Sequence, residues 1–120
     1  MARYALIVGI TEYSHLPRLS KAAEDAEAIA RLLQQHGNFE NIKPLPAHWL
    51  LAEKREAVSA QQLLTGELLG QALQTFLLEQ ADGKDALIYF SGHGITTTDS
   101  LGEQEGYLAA SNCQVEQKNG

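Results

Sequence analysis

The chain has a single cysteine in 120 residues, Cys113. That count excludes an internal disulfide and any cysteine-rich zinc site, and it points to a cytoplasmic protein. No apolar run approaches the roughly 18–20 residues that a membrane-spanning helix requires. Basic residues are also few: nine Lys and Arg against fifteen Asp and Glu leave a formal charge of −6. With no cluster of Lys or Arg to neutralise phosphates, general nucleic-acid binding is not expected. The same acidic balance is that of an ordinary surface kept in solution. The histidines His15, His36, His48 and His93 are scattered, without ligand-like spacing such as H-E-x-x-H, so neither a metal site nor a cofactor is read from them.

What remains is the composition of one globular domain spanning residues 1–120, 44% hydrophobic and 20% charged. Tyr4-Ala5-Leu6-Ile7-Val8, closed by Gly9, is a short apolar run that suits a central strand buried on both faces. It lacks a small-residue cleavage pattern, so it reads as a strand rather than a signal peptide. A loop follows to Leu19. Ser20 to His36 has helical spacing, with Ser20 as the cap and Ala22, Ala26, Ile29 and Leu33 on one stripe. Residues Asn38 to Pro46 read as a loop, His48 to Leu51 as a short strand, and Ala52 to Ala60 carries no clear pattern. Thr65 is placed to cap a second helix whose apolar face is Leu69, Ala72, Leu73, Phe76 and Leu77. Asp85 to Phe90 is a second apolar strand. It stops at Ser91-Gly92-His93-Gly94, after which a polar loop or hairpin leads to a return strand at Gly106 to Ala109, and Gln117 to Gly120 reads as a frayed end.

Strands alternating with helices predict a parallel α/β sheet with helices on its faces. In such sheets functional groups gather beyond the carboxyl ends of the strands, here Gly9 to Tyr13 and Ser91 to Gly94. A histidine between two glycines at a strand end is held by a rigid element, while the glycines let a substrate backbone come close. Histidine is the side chain suited to shuttling a proton near neutral pH. The Gly94 amide, free of side-chain obstruction, could serve an oxyanion. A second reading stays open, a turn in which His93 merely hydrogen-bonds to a neighbouring loop.

The order of segments resembles the caspase-like cysteine peptidases, including metacaspases and bacterial orthocaspases. Tyr4 to Tyr13 is similar to their first strand and loop, Ala22-Ala23-Glu24-Asp25-Ala26 to their Asn-Asp-Ala helix start, Asp85 to Gly94 to their histidine strand, and Glu105-Gly106-Tyr107-Leu108 to the segment after it. The resemblance implies a caspase-like, Rossmann-like three-layer α/β fold and acyl transfer through a thioester on peptide or protein substrates. It implies that His93 is the general acid/base and that the Gly94 amide is half of the oxyanion hole, the cysteine's own amide being the other half. As in metacaspases, it nominates Asp25 and Ser91 to hold a basic side chain before the scissile bond, for cleavage after Arg or Lys. Asp25 also fits a plain first-turn acid at a helix N-terminus, and Glu24 stands where the family often has Asn.

One departure from the family is decisive. The Asp-x-Cys-x-Ser/Gly-Gly nucleophile motif is absent. Cys113 lacks both a preceding apolar strand and a following glycine, and it reads as a free thiol of no special reactivity. The expectation is therefore the N-terminal portion of one caspase-like peptidase domain, truncated before its nucleophile strand and inactive alone. The remainder of the parent protein would supply the cysteine. The alternative is a non-catalytic scaffold of the same fold that binds partner proteins. A nucleotide-binding domain of flavodoxin or Rossmann type is disfavoured, because Val8-Gly9-Ile10-Thr11-Glu12 offers one glycine and no phosphate cradle.

Overall fold

Period-two alternation along the first strand builds the core of the molecule, a computed structural model that describes residues 2–98 and 100–114. Strand β1, Arg3–Gly9, sends Leu6 and Val8 to one face and Ala5 and Ile7 to the other. Leu6, Val8 and Ile10 pack with Leu64, Leu69 and Phe76. Ala5 and Ile7 pack with Ala23, Ala26, Ala30 and Val58. Apart from Leu64, which precedes the second helix, and Val58, those partners belong to two helices, α1 (Ala22–His36) and α2 (Gly66–Thr75, continuing as a π-turn over Phe76–Gln80). One apolar strand thus organises two helical layers, and the three-layer α/β arrangement follows.

The sheet is parallel throughout, in the order β2-β1-β5. Strand β2 is Asn41–Leu45 and β5 is Asp85–Ser91. Two antiparallel hairpins complete the elements: β3 (Ala47–Leu50) with β4 (Arg55–Val58), and β6 (Gly94–Thr98) with β7 (Gln104–Leu108). The stretch 117–120 lies outside the described residues.

The structure corrects the sequence reading in three places. The segment taken as a loop at Asn38 to Pro46 contains β2, paired in parallel from Tyr4↔Asn41 to Val8↔Leu45. Lys43 and Pro44 disguise it, and Pro44 is tolerated because β2 lies at the sheet edge. Ser20 does not cap α1. Lys21 occupies the cap position without a side-chain bond, and the buried Thr11 Oγ1 instead accepts the Ala23 N–H at 3.0 Å. The unassigned stretch at 52–60 holds β4, tied down by charge. Glu27 on α1 accepts the Val58 N–H at 3.1 Å and pairs with Arg55 at 2.7 Å and Arg31 at 3.0 Å. The Arg55 guanidinium is held above its ordinary value, first by its hydrogen bond to Glu27, with burial opposing.

Thr65 caps α2 as expected, accepting the Leu68 N–H at 3.3 Å. Gly9 serves a close approach. A Cβ there would meet the Ala26 Cβ at 2.6 Å and the Ala22 carbonyl at 2.7 Å. Its absence lets the start of α1 rest directly on the end of β1.

Candidate active site

Parallel pairing brings the two strand ends together. The register runs from Arg3↔Asp85 to Gly9↔Ser91, and Ile10 N–H extends it by donating to the Ser91 carbonyl at 2.9 Å. The loop after β1 and the Ser91-Gly92-His93-Gly94 turn that closes β5 therefore face one another at the carboxyl end of the sheet. These are the two regions singled out from the sequence.

His93 is half-buried and anchored on every polar side of its backbone. Its N–H donates to the Tyr13 hydroxyl at 2.9 Å, and its carbonyl accepts the Ala109 N–H at 2.9 Å. The imidazole and the Tyr13 ring make a T-shaped contact, with centroids 4.7 Å apart and planes at 76°. Nε2 lies 2.7 Å from the Pro17 carbonyl oxygen. A carbonyl can only accept, so that contact assigns the proton of the neutral ring to Nε2 and leaves Nδ1 as its basic nitrogen. The loop contact that the blander reading anticipated is thus present, and it also fixes the tautomer a proton shuttle would need.

Gly94 begins β6 opposite Leu108. The bond from Ala109 N–H to His93 C=O makes residues 93 and 109 a hydrogen-bonding pair. Alternation along an antiparallel ladder then turns the backbone of the next pair outward, so the Gly94 N–H is directed away from β7. A Cβ on Gly94 would find its nearest neighbour, the Tyr107 carbonyl oxygen, at 3.9 Å, which leaves the approach to the turn open.

Asp25 and Ser91 line the same cavity, of about 400 Å³, together with Arg18, Lys21 and Gly92. Asp25 sits in the first turn of α1 with an exposed side chain. Its place in the first turn of the helix is also a place in the cavity wall. Arg18 is paired with Glu12. Cys113 is a half-buried free thiol at a different cavity, among Leu69, Leu73, Leu108 and Ala110. Among the described residues no three His, Cys, Asp or Glu side chains gather as a metal site would require, and no helix is long and apolar enough to cross a membrane.

Sequence reasoning pointed to the stretch Gly9 to Tyr13 without giving Thr11 or Tyr13 a role, and it missed the Pro17 carbonyl. Tyr13 had a usable signal, an aromatic hydroxyl just past the carboxyl end of a buried strand. The burial of its phenol, aided by Cys113 and opposed by the bond to His93, raises its pKa above the ordinary 10.0 and keeps it a hydrogen-bond donor. The Pro17 carbonyl had none, because every residue has one.

Neither the curated proteins nor the solved structures include a match to this chain. The family model for the caspase domain matches residues 2–118, nearly the full length of the chain. The chain belongs to the caspase domain family, a family of cysteine peptidases acting on peptide and protein substrates.

Proposed function

We propose that this chain carries the acid–base half of a cysteine endopeptidase site, with His93 as proton shuttle and the nucleophilic cysteine on a strand lying against β5. The observation that carries the reading is the contact between His93 Nε2 and the Pro17 carbonyl at 2.7 Å. It holds the ring in one tautomer beside an open cavity. His93 Nδ1 takes the thiol proton, and the thiolate attacks the scissile carbonyl. The oxyanion receives the outward Gly94 N–H and the amide of the cysteine itself. The proton on Nδ1 then passes to the leaving amine, and water, activated by Nδ1, hydrolyses the thioester.

A neighbouring strand is supported by β5 itself. It has β1 on one side and, among the described residues, no strand on the other. Its Leu87 and Ile88 remain 39% and 42% exposed. The cavity beside Ser91 supports cleavage after Arg or Lys, because the Asp25 carboxylate and the Ser91 hydroxyl offer acceptors to a cationic side chain. Lys21 on the same wall opposes a cation and makes the preference a balance of charges.

The test is to express the reading frame including whatever follows Gly120 and to treat it with an electrophilic peptide bearing Arg at the cleavage position. Labelling of one cysteine is expected, with kcat/KM falling about 10²–10⁴-fold in His93→Ala. A complete protein without a labelled cysteine would instead be a binding domain of this fold. Preference for an acidic residue at that position would reject the roles of Asp25 and Ser91.

A further inference from the structure

The last rung of the β6–β7 ladder is built unusually. Residues 93 and 109 stand one step beyond the Gly94↔Leu108 pair. A regular pair there would exchange two bonds, Ala109 N–H to His93 C=O and His93 N–H to Ala109 C=O. The first is present at 2.9 Å. The second is replaced by two bonds through a side chain: His93 N–H donates to Tyr13 Oη at 2.9 Å, and that hydroxyl donates to the Ala109 C=O at 2.9 Å. The partners leave no freedom in these roles, since an amide N–H must donate and a carbonyl must accept.

Resting on the reading of His93 as the acid–base group, we propose that Tyr13 is a positioning residue whose hydroxyl, inserted in this rung, sets the angle at which His93 leaves the sheet. The loop after β1 thereby holds the histidine at three points. The Tyr13 hydroxyl takes its amide, the Tyr13 ring packs nearly perpendicular to its imidazole, and the Pro17 carbonyl takes its Nε2. The neighbouring residue makes room for this. A Cβ on Gly92 would lie 2.7 Å from the Tyr13 hydroxyl, so glycine there is a condition of the insertion. The loop is itself fixed at its far side, where Ser14 N–H donates to the Ser111 carbonyl at 2.9 Å. Without the hydroxyl, His93 N–H and Ala109 C=O would close on each other or admit water. Either outcome turns the imidazole away from Pro17.

The test compares the chain with its Tyr13→Phe form, labelled with ¹⁵N in histidine. The ring nitrogen shifts report which nitrogen of the neutral imidazole bears the proton. The unsubstituted chain should show the Nε2–H form, and Tyr13→Phe should lower its excess over the Nδ1–H form by about threefold or more. In the complete protein the same substitution should lower kcat by about tenfold with KM within about threefold, as loss of orientation does. An unchanged tautomer ratio in folded Tyr13→Phe would overturn the proposal. Should that form fail to fold, Gly92→Ala crowds the hydroxyl from the other side, and an unchanged ratio there would overturn it equally. A tautomer change in a protein that lacks a nucleophilic cysteine would keep the positioning role while removing the peptidase reading.

Discussion

Strands β1 and β5 are near twins in sequence and differ in fate. Tyr4-Ala5-Leu6-Ile7-Val8 and Ala86-Leu87-Ile88-Tyr89-Phe90 are both apolar throughout, and they lie side by side in parallel register. Yet Leu6 is 0% exposed and its register partner Ile88 is 42% exposed. The difference is position. β1 has a strand on both sides and a helix on each face, whereas β5 has its neighbour on one side only among the described residues. An apolar run therefore encodes a strand, and the neighbours it finds decide how much of it is buried.

Substitutions at register partners should break the symmetry of the pair. Leu6→Ala should lower unfolding free energy by about 2–5 kcal/mol, read from urea denaturation, because the site is sealed on all sides. Glu27→Gln should follow at about 1–3 kcal/mol, since it removes one of the two carboxylates paired with the half-buried Arg55 and leaves it Glu53 alone. A midpoint unchanged within error would assign the β3–β4 hairpin's attachment to packing alone. Ile88→Ala should cost only about 1 kcal/mol in this chain, in keeping with its partial burial. The same change in a protein with a strand against β5 should cost two to three times as much by this area argument (about 2–3 kcal/mol). Equal losses in the two settings would mean that nothing covers that edge.

The smallest effect concerns pH. Tyr13 has its pKa raised above 10.0, chiefly by burial, so the unfolded chain gives up that proton first as the solution becomes alkaline. Its contribution to stability is fully present below pH 10 and is lost as the pH rises through the higher folded value. Stability should therefore fall above pH 10, and less steeply in Tyr13→Phe than in the unsubstituted chain. Parallel slopes in the two forms would contradict a buried, proton-bearing phenol.

Much of the fold was legible because its signals are local. The apolar runs of β1 and β5, the helical stripe of α1 and the Thr65 cap of α2 each sit within a few residues of what they specify. Strand β2 was illegible because Lys43 and Pro44 interrupt the pattern, and only pairing with β1 makes it a strand. The cap of α1 escaped for a related reason: the acceptor for Ala23 is Thr11, twelve residues back, not the adjacent Ser20. The candidate site divides in the same way. The Ser91-Gly92-His93-Gly94 turn is contiguous and could be read. Tyr13, which holds it, is 80 residues away from His93 in the chain.

The sequence by itself determined strands β1 and β5, helices α1 and α2, the parallel α/β class and the histidine at a strand end. Each depends on periodicity and turn chemistry along a short stretch. Tertiary structure alone decided that Asp25 and Ser91 share one cavity, that Nε2 of His93 meets the Pro17 carbonyl, and that the Tyr13 hydroxyl enters the rung between residues 93 and 109. These contacts join a helix start, a loop and a hairpin that the parallel pairing of β1 with β5 brings together, so residues far apart in the chain are neighbours. Backbone carbonyls and amides supply half of the partners, and they carry no signature in the side-chain code.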